Sequence, residues 1–449
     1  MSFISLQTAL SGIRASQVGM DTASHNIANA GTPGYTRQRM LLSPRTPFDA
    51  VVGQIGTGVD VAGIQRTRDT FLDSRARSSA AELGRTGTRA ELLARTEAIL
   101  GEPDLGLSTA LGAVWDAFDD LAVDPSGAAS RRQVLSALEG LGSRARAVSA
   151  GWSGLAEDAG VDLQASAAEV NTSLERLAEL NRLIPSVRAG AAPNQLLDER
   201  DRLLDVLSAT IGASSTLQPD GTVTVTLAGA PTDLLDGLTV TPVTAGADHL
   251  VRVQGQQVAV GGRIGGLQEF LRIDLPAQRA QLDGFLDSLT TSLNTQHAAG
   301  VDATGAAGGP LLAFTPGLAV TDLAVAITDP ARLAAADAAG GGQNGRNAQA
   351  LADLRTEPAG GGHSLSEQLV QVVVGLAGEV RTARSQADAQ RLLNVAATTA
   401  RQSAHGVSLD EEMVALVQWQ RSLEAAARVM TTVDEALQVL VTRTGIVGR

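Results

Sequence analysis

The 449-residue chain has no cysteine and no lysine; all 35 of its Lys+Arg residues are arginine. Without cysteine there can be no disulfide, thiolate nucleophile or Cys-ligated zinc, and without lysine no Walker-type phosphate lysine and no Schiff base. Aromatic residues make up only 2% of the chain, so apolar burial must come mainly from Leu, Val, Ile and Ala on helices. The most apolar run, at 369–377, falls well short of the roughly 18 residues that a membrane helix requires. Residues 1–7 carry neither a charged n-region nor a long apolar h-region, so neither a cleavable signal nor a membrane span is expected. A net charge of -13 repels a phosphate backbone, and no arginine stripe interleaved with aromatics overrides it locally; nucleic acid is not an expected partner.

Helical and extended stretches are segregated. Near the start, Leu6, Ile13, Met20 and Ile27 recur every seven residues, with Phe3 and Leu10 on a flanking row, which reads as a narrow seam on one helix. That helix stops at Gly31, expected in the left-handed C-terminal position, and Pro33. Residues 48–66 read as a glycine-rich hairpin. Helices follow at 69–103, 107–121, 130–183 with breaks near Gly151 and Gly160, and 194–211, with turns at 124–127 and 189–193. The period then changes to strict alternation at 222–227, 250–253 and 258–260, the pattern of half-buried strands.

Helix returns at 267–297, and 300–358 is Gly/Ala-rich, with a glycine run at 340–345. From 365 to 444 the chain is helical, with one break near His405-Gly406. Ser408 to Glu411 is a capping box. Behind it Leu409, Leu416, Leu423, Met430 and Leu437 repeat every seven residues, bordered by Met413, Ala427, Val433 and Leu440. At about 1.5 Å per residue this second seam extends for roughly 50 Å, and the first for about 40 Å, so the two can pair.

The expected fold is therefore mainly α with β-rich insertions, in an elongated multi-domain chain. Residues 1–40 and 408–449 form paired terminal helices, a coiled coil; 41–213 and 365–407 form an antiparallel helical bundle with a short β-hairpin. An outer β-rich domain spans 214–266, a helix at 267–299 returns to the bundle, and 300–364 is a second insertion.

Candidate chemistry is sparse. His25, His249, His297, His363 and His405 include no pair at i+3 or i+4, so no metal site is expected, and no catalytic residue or cofactor site is indicated. Asp198, Glu199, Arg200, Asp201 and Arg202 crowd one helix; opposite charges at i+4, such as Asp198 with Arg202, read as a solvated salt-bridged face. Trp419 lies beside the second seam, open to two readings, a subunit contact or an intramolecular contact with the first helix. Two narrow seams rich in Ala and Ser leave a two-helix pair marginal in isolation, so self-assembly through the chain ends is expected, with the ends unordered in a free monomer. Leu6, Leu10, Ile13, Met20 and Ile27 would carry it, together with Leu409, Met413, Leu416, Trp419, Leu423, Met430 and Leu437.

Residues 24–38, SHNIANAGTPGYTRQ, resemble the N-terminal signature shared by bacterial flagellar rod, hook and hook-associated proteins, with Asn26, Asn29, Pro33, Gly34, Tyr35, Arg37 and Gln38 carrying the likeness. The ending at 34–38 is similar to that of the hook-associated branch rather than to the Gly-Phe-Lys ending of hook and rod members. Residues 406–413 and 425–434 resemble the same branch's C-terminal helix, and 194–201 and 261–271 add weaker likeness. The resemblance implies a non-enzymatic structural protein of the hook–filament junction, exported through the flagellar type III channel to the cell exterior. Implied partners are other copies of the chain, the flagellar hook protein, the next junction protein, and an export chaperone at the C-terminal region. The alternatives are another axial protein, hook or distal rod, and a secreted enzyme acting on cell-wall polymer.

Overall fold

The computed structural model describes residues 2–50, 53–101, 106–187, 192–338, 344–358 and 362–444. The expected turn at 189–193 and the glycine run at 340–345 fall partly outside these residues, as do Val51, Val52, Pro103 and the side chains of Phe3 and Leu440.

In chain order the elements are α1 (Ser2–Asn29), β1 (Gln38–Pro44), β2 (Phe48–Ala50), β3 (Gly53–Ile55), β4 (Val59–Arg66), α2 (Thr70–Leu100), α3 (Leu107–Val123), α4 (Ala128–Ser186) and α5 (Asn194–Ile211). They continue as β5 (Ser214–Leu217), β6 (Val223–Thr226), β7 (Leu235–Asp236), β8 (Thr239–Val240), β9 (Val243–Ala245), β10 (Val251–Val253), β11 (Gln256–Gln257), α6 (Gly262–Glu269), a π turn (Phe270–Asp274) and α7 (Leu275–Ala299). The Gly/Ala-rich stretch holds β12 (Gly300–Val301), β13 (Leu312–Ala313), α8 (Ala319–Asp322), β14 (Ala324–Val325), β15 (Ala336–Asp337) and α9 (Arg346–Asp353), before α10 (Leu365–His405) and α11 (Leu409–Thr444). The mainly helical class with β insertions is thus as the composition implied.

The chain divides into two units: one of Met1–Ala81, Val170–Pro242 and Leu392–Arg449, the other of Glu82–Glu169 and Val243–Arg391. In the first, β1 and β4 form an antiparallel ribbon from Gln38 opposite Arg66 to Pro44 opposite Val59, with a register shift at Leu41/Leu42. The hairpin expected at 48–66 is divided: β2 and β3 pair with each other, Phe48 opposite Ile55, while β4 pairs with β1, whose alternation is too irregular to be read as a strand. A four-stranded sheet of order β5-β6-β7-β8 completes the unit. Val223, Thr224 and Val225 are all buried, not alternately, so both faces of β6 are covered; Thr224 Oγ1 accepts from Gln218 Nε2 at 2.9 Å.

The second unit is a helical core of Leu93, Phe118, Leu138, Leu163, Phe270 and Leu286, with Trp152 donating from Nε1 to the Thr96 carbonyl at 3.1 Å. Here α4 runs unbroken where breaks were expected. Gly151 and Gly160 are close-packing positions: a Cβ on Gly151 would stand 2.9 Å from Ile99 Cγ2, and one on Gly160 3.3 Å from the His249 ring. Residues 258–260 are not a strand; Gln256–Gln257 takes the pairing with β10 instead. Ser364 and Glu367 form a reciprocal capping box on α10, Ser364 N–H donating to Glu367 at 2.9 Å and Glu367 N–H to Ser364 Oγ at 3.2 Å.

Candidate assembly interface

Helices α1 and α11 pack as an antiparallel pair. Gly12 faces Ala426, with a Cβ position 3.5 Å from the Ala426 methyl; Gly19 lies under the Trp419 indole; Asn26 Nδ2 donates to Glu412 at 3.0 Å. Each step of seven along α1 is matched by a step of seven back along α11, the spacing of a heptad seam. Ala9, Ser16 and Ala23 interleave with Gly12, Gly19 and Asn26 on this face and are buried. The contact is thus a row of small residues, which lets two helices approach closely.

The large apolar residues of the expected seam stand beside that row. At 100° per residue, Leu6, Ile13, Met20 and Ile27 fall on the adjacent flank, where they are half-buried, and Leu10 is 39% exposed. On α11, Leu416, Trp419, Leu423, Met430 and Leu437 are half-buried, whereas Leu409 and Met413 are more than half exposed. The positions sharing the inner row with Trp419 are Glu412, Ala426 and Val433, so Met413 and Ala427 sit one residue off it. Sequence reasoning missed the small-residue row, although 9-12-16-19-23-26 repeats at alternating steps of three and four.

The signature loop ties this pair to its own unit. The Asn26 amide uses its full hydrogen-bonding capacity: Nδ2 donates to the Gln38 carbonyl (2.9 Å) and to Glu412, and Oδ1 accepts from Gln38 N–H (3.0 Å) and Tyr35 Oη (2.7 Å). Burial, then the nearby Asp198 and Glu412 charges, pushes the Tyr35 hydroxyl well above its usual value and keeps it a donor. Arg37 donates from Nε to Glu412 (2.7 Å), from Nη1 to Glu411 (2.8 Å), and from its backbone to the His405 carbonyl (3.0 Å). Half of the expected box at Ser408 is therefore replaced: Ser408 Oγ accepts from Glu411 N–H at 3.5 Å, but Glu411 turns to Arg37. Gln38 Oε1 accepts from Asn194 at 3.1 Å, and Asn29 donates to the His25 carbonyl at 2.9 Å. His25 and Tyr35 meet edge to face, 5.6 Å apart. Pro33 is exposed. The left-handed residue is Gly34 (φ 79°), not Gly31; a side chain there would meet the stem of Arg202.

Beneath the loop, 198–202 is not a solvated face. Asp198 and Arg200 are buried, and their partners come from elsewhere in the chain: Arg66 bonds Asp198 (2.6 Å) and Asp201 (2.9 Å), Arg68 bonds Asp73 and Asp201, and Asp205 joins Arg77 (2.7 Å) to Arg401 (2.8 Å). His405 Nε2 accepts the Asp69 N–H at 2.6 Å. Ion-paired carboxylates of this kind brace structure. Among the described residues no three His, Asp or Glu side chains gather as a metal site, and no helix is long and apolar enough to cross a membrane.

The sequence profile of the flagellar hook-associated protein FlgK helical domain matches residues 93–312, and profiles of flagellar basal body rod proteins match 6–36 and 401–443, the two stretches that pair here. Flagellar hook-associated protein 1 of Bacillus subtilis is 28% identical over 100% of this chain and 99% of its own. The protein of that name in Escherichia coli is 25% identical over 97% and 99%. The chain belongs to the flagellar hook-associated protein 1 family. As a member of the hook-associated protein 1 family it is a structural protein of the flagellum. The fold also matches the solved flagellar hook junction protein FlgK of Burkholderia pseudomallei, with a TM-score of 0.65 and 17% identity over 76% of this chain and 100% of the other.

Proposed function

We propose that this chain assembles with copies of itself between hook and filament, using the α1–α11 pair as its self-associating part. One observation carries the proposal: the inner contact is made by small residues, leaving Leu6, Ile13, Met20 and Ile27 half-buried on one flank of α1, and Leu10, Leu409 and Met413 exposed. Full burial of a Leu, Ile or Met stabilises by about 1.5–3 kcal/mol, so such a row gains when neighbouring pairs pack against it. The flagellar hook protein on one side and the next junction protein on the other are the proposed axial partners, with an export chaperone at the C-terminal region before type III export. Family membership supports a non-enzymatic role.

The test is a double substitution on the flank, Ile13→Glu with Met20→Glu, in a strain lacking the native protein. The variant should fold and be exported, yet fail to attach filaments, so that filament subunits are shed into the medium and motility is lost. Wild-type motility with this variant would overturn the proposal.

A further inference from the structure

Within the first unit, α2, α5 and the strands β5 and β6 enclose a cavity of about 610 Å³ whose wall includes Arg68, Arg77, Arg200, Asp73 and Asp201. Arg200 sets it apart. It is only 4% exposed, its Nη1 donates to the Gly221 carbonyl at 3.0 Å, and its buried Nε has no partner among the described residues. Asp73 and Asp201 are already engaged by Arg68, and Asp201 by Arg66 as well, with Arg77 Nη2 3.5 Å from its other oxygen. The network as a whole sets five arginines (Arg66, Arg68, Arg77, Arg200, Arg401) against four aspartates (Asp73, Asp198, Asp201, Asp205), and Arg200 is the one in excess. Burial, with Arg68, Arg66 and Arg77 behind it, lowers its pKa to about 10 against the opposing charge of Asp201, so it remains charged at neutral pH. A buried cation that no carboxylate bonds directly is costly unless something supplies that contact.

We propose that this cavity binds one small tetrahedral oxyanion, of the phosphate or sulfate class, on Arg200. Guanidinium groups present donors in a fork that fits paired oxygens of such an anion, and three of them around one cavity favour an ion with several oxygens over a single carboxylate. Ser74 and Ser78 line the same cavity and add hydroxyl donors.

The test is calorimetric titration of the full chain with inorganic phosphate, sulfate and acetate at constant ionic strength, on the native protein and on Arg200→Met. The native protein should bind phosphate and sulfate saturably at one site and acetate at least tenfold more weakly. In Arg200→Met, oxyanion binding should weaken at least tenfold while the Tm without added anion stays level or rises, because the unpaired cation is gone. Should that variant not fold, Arg200→Lys keeps the charge without the fork and should bind sulfate several-fold more weakly. Absence of saturable binding by the native protein, acetate binding as tight as sulfate, or equal binding by native and variant proteins would overturn the proposal.

Discussion

Gly19 lies flat against Trp419: a Cβ built on it would stand 2.5 Å from two atoms of the indole ring. Seven residues earlier, Gly12 leaves 3.5 Å to the Ala426 methyl, an ordinary contact. Glycine in a helix interior costs roughly 0.5–1 kcal/mol relative to alanine, so the two sites respond oppositely to the same change. Gly12→Ala should stabilise α1 by about that amount. Gly19→Ala should destabilise the pair by about 1 kcal/mol net, because displacing the indole costs more than the propensity gain. Amide exchange over residues 4–28 reads both, slower in the first variant and faster in the second; slower exchange in Gly19→Ala would show that the ring moves away freely.

Asn26 joins three segments through one amide, so its loss should be felt in all of them. Asn26→Ala leaves Gln38 N–H and the Glu412 carboxylate short of a partner in a buried place, at an expected cost of about 2–4 kcal/mol from two to three unsatisfied groups. Asn26→Asp should be worse at neutral pH, since it sets a second carboxylate beside Glu412, and should recover partly in acid as one of the two takes up a proton. Exchange rates in β1 and in the first turns of α11 should rise together. A rise confined to α1 would refute the hub.

The helices, the break at 405–406 and the pairing of the two ends were legible because apolar period and capping residues are local signals. The row that makes the contact was not, for a glycine or serine in a helix looks neutral until a partner's ring is placed against it. The Asp198–Arg202 cluster misled for the same reason. Spacing along a helix reveals only partners on that helix, whereas Asp198 and Asp201 take theirs from Arg66 and Arg68, more than 130 residues away. Gly151 and Gly160, punctuation in one dimension, are close approaches in three.

His297 is fully buried, with Nδ1 2.7 Å from the Gly309 carbonyl and Nε2 accepting the Ala334 N–H at 2.8 Å. Nδ1 therefore carries the proton, and the ring is held neutral. Burial pushes its pKa below the ordinary value of 6.5, opposed by the Gly309 carbonyl and by Asp302. The unfolded chain binds a proton near pH 6.5 that the folded chain refuses, so the stability of this region falls as pH drops from there toward the folded pKa and levels off below it. The imidazole resonances of His297 should titrate below 6.5, while exchange at 300–338 quickens with acid. Titration at or above 6.5 would contradict the assignment.

Asp201 is the pivot of the arginine network, meeting Arg66 at 2.9 Å, Arg68 at 2.5 Å and Arg77 at 3.5 Å. Removing a buried carboxylate strands the cations it served, which typically costs about 3–5 kcal/mol, more than an exposed pair by several-fold. Asp201→Asn should therefore lower the unfolding midpoint of the first unit sharply, while the exposed pair Arg391–Asp388 should tolerate Asp388→Asn with a change under about 1 kcal/mol. Differential exchange or limited proteolysis localises the loss to residues 66–77 and 198–205. If added sulfate offsets part of the Arg200 strain in the native protein, it should not rescue Asp201→Asn to the same midpoint, because one anion cannot replace a carboxylate bonded to Arg66 and Arg68 at once. Equal midpoints for Asp201→Asn and Asp388→Asn would mean that solvent, rather than Asp201, balances these arginines.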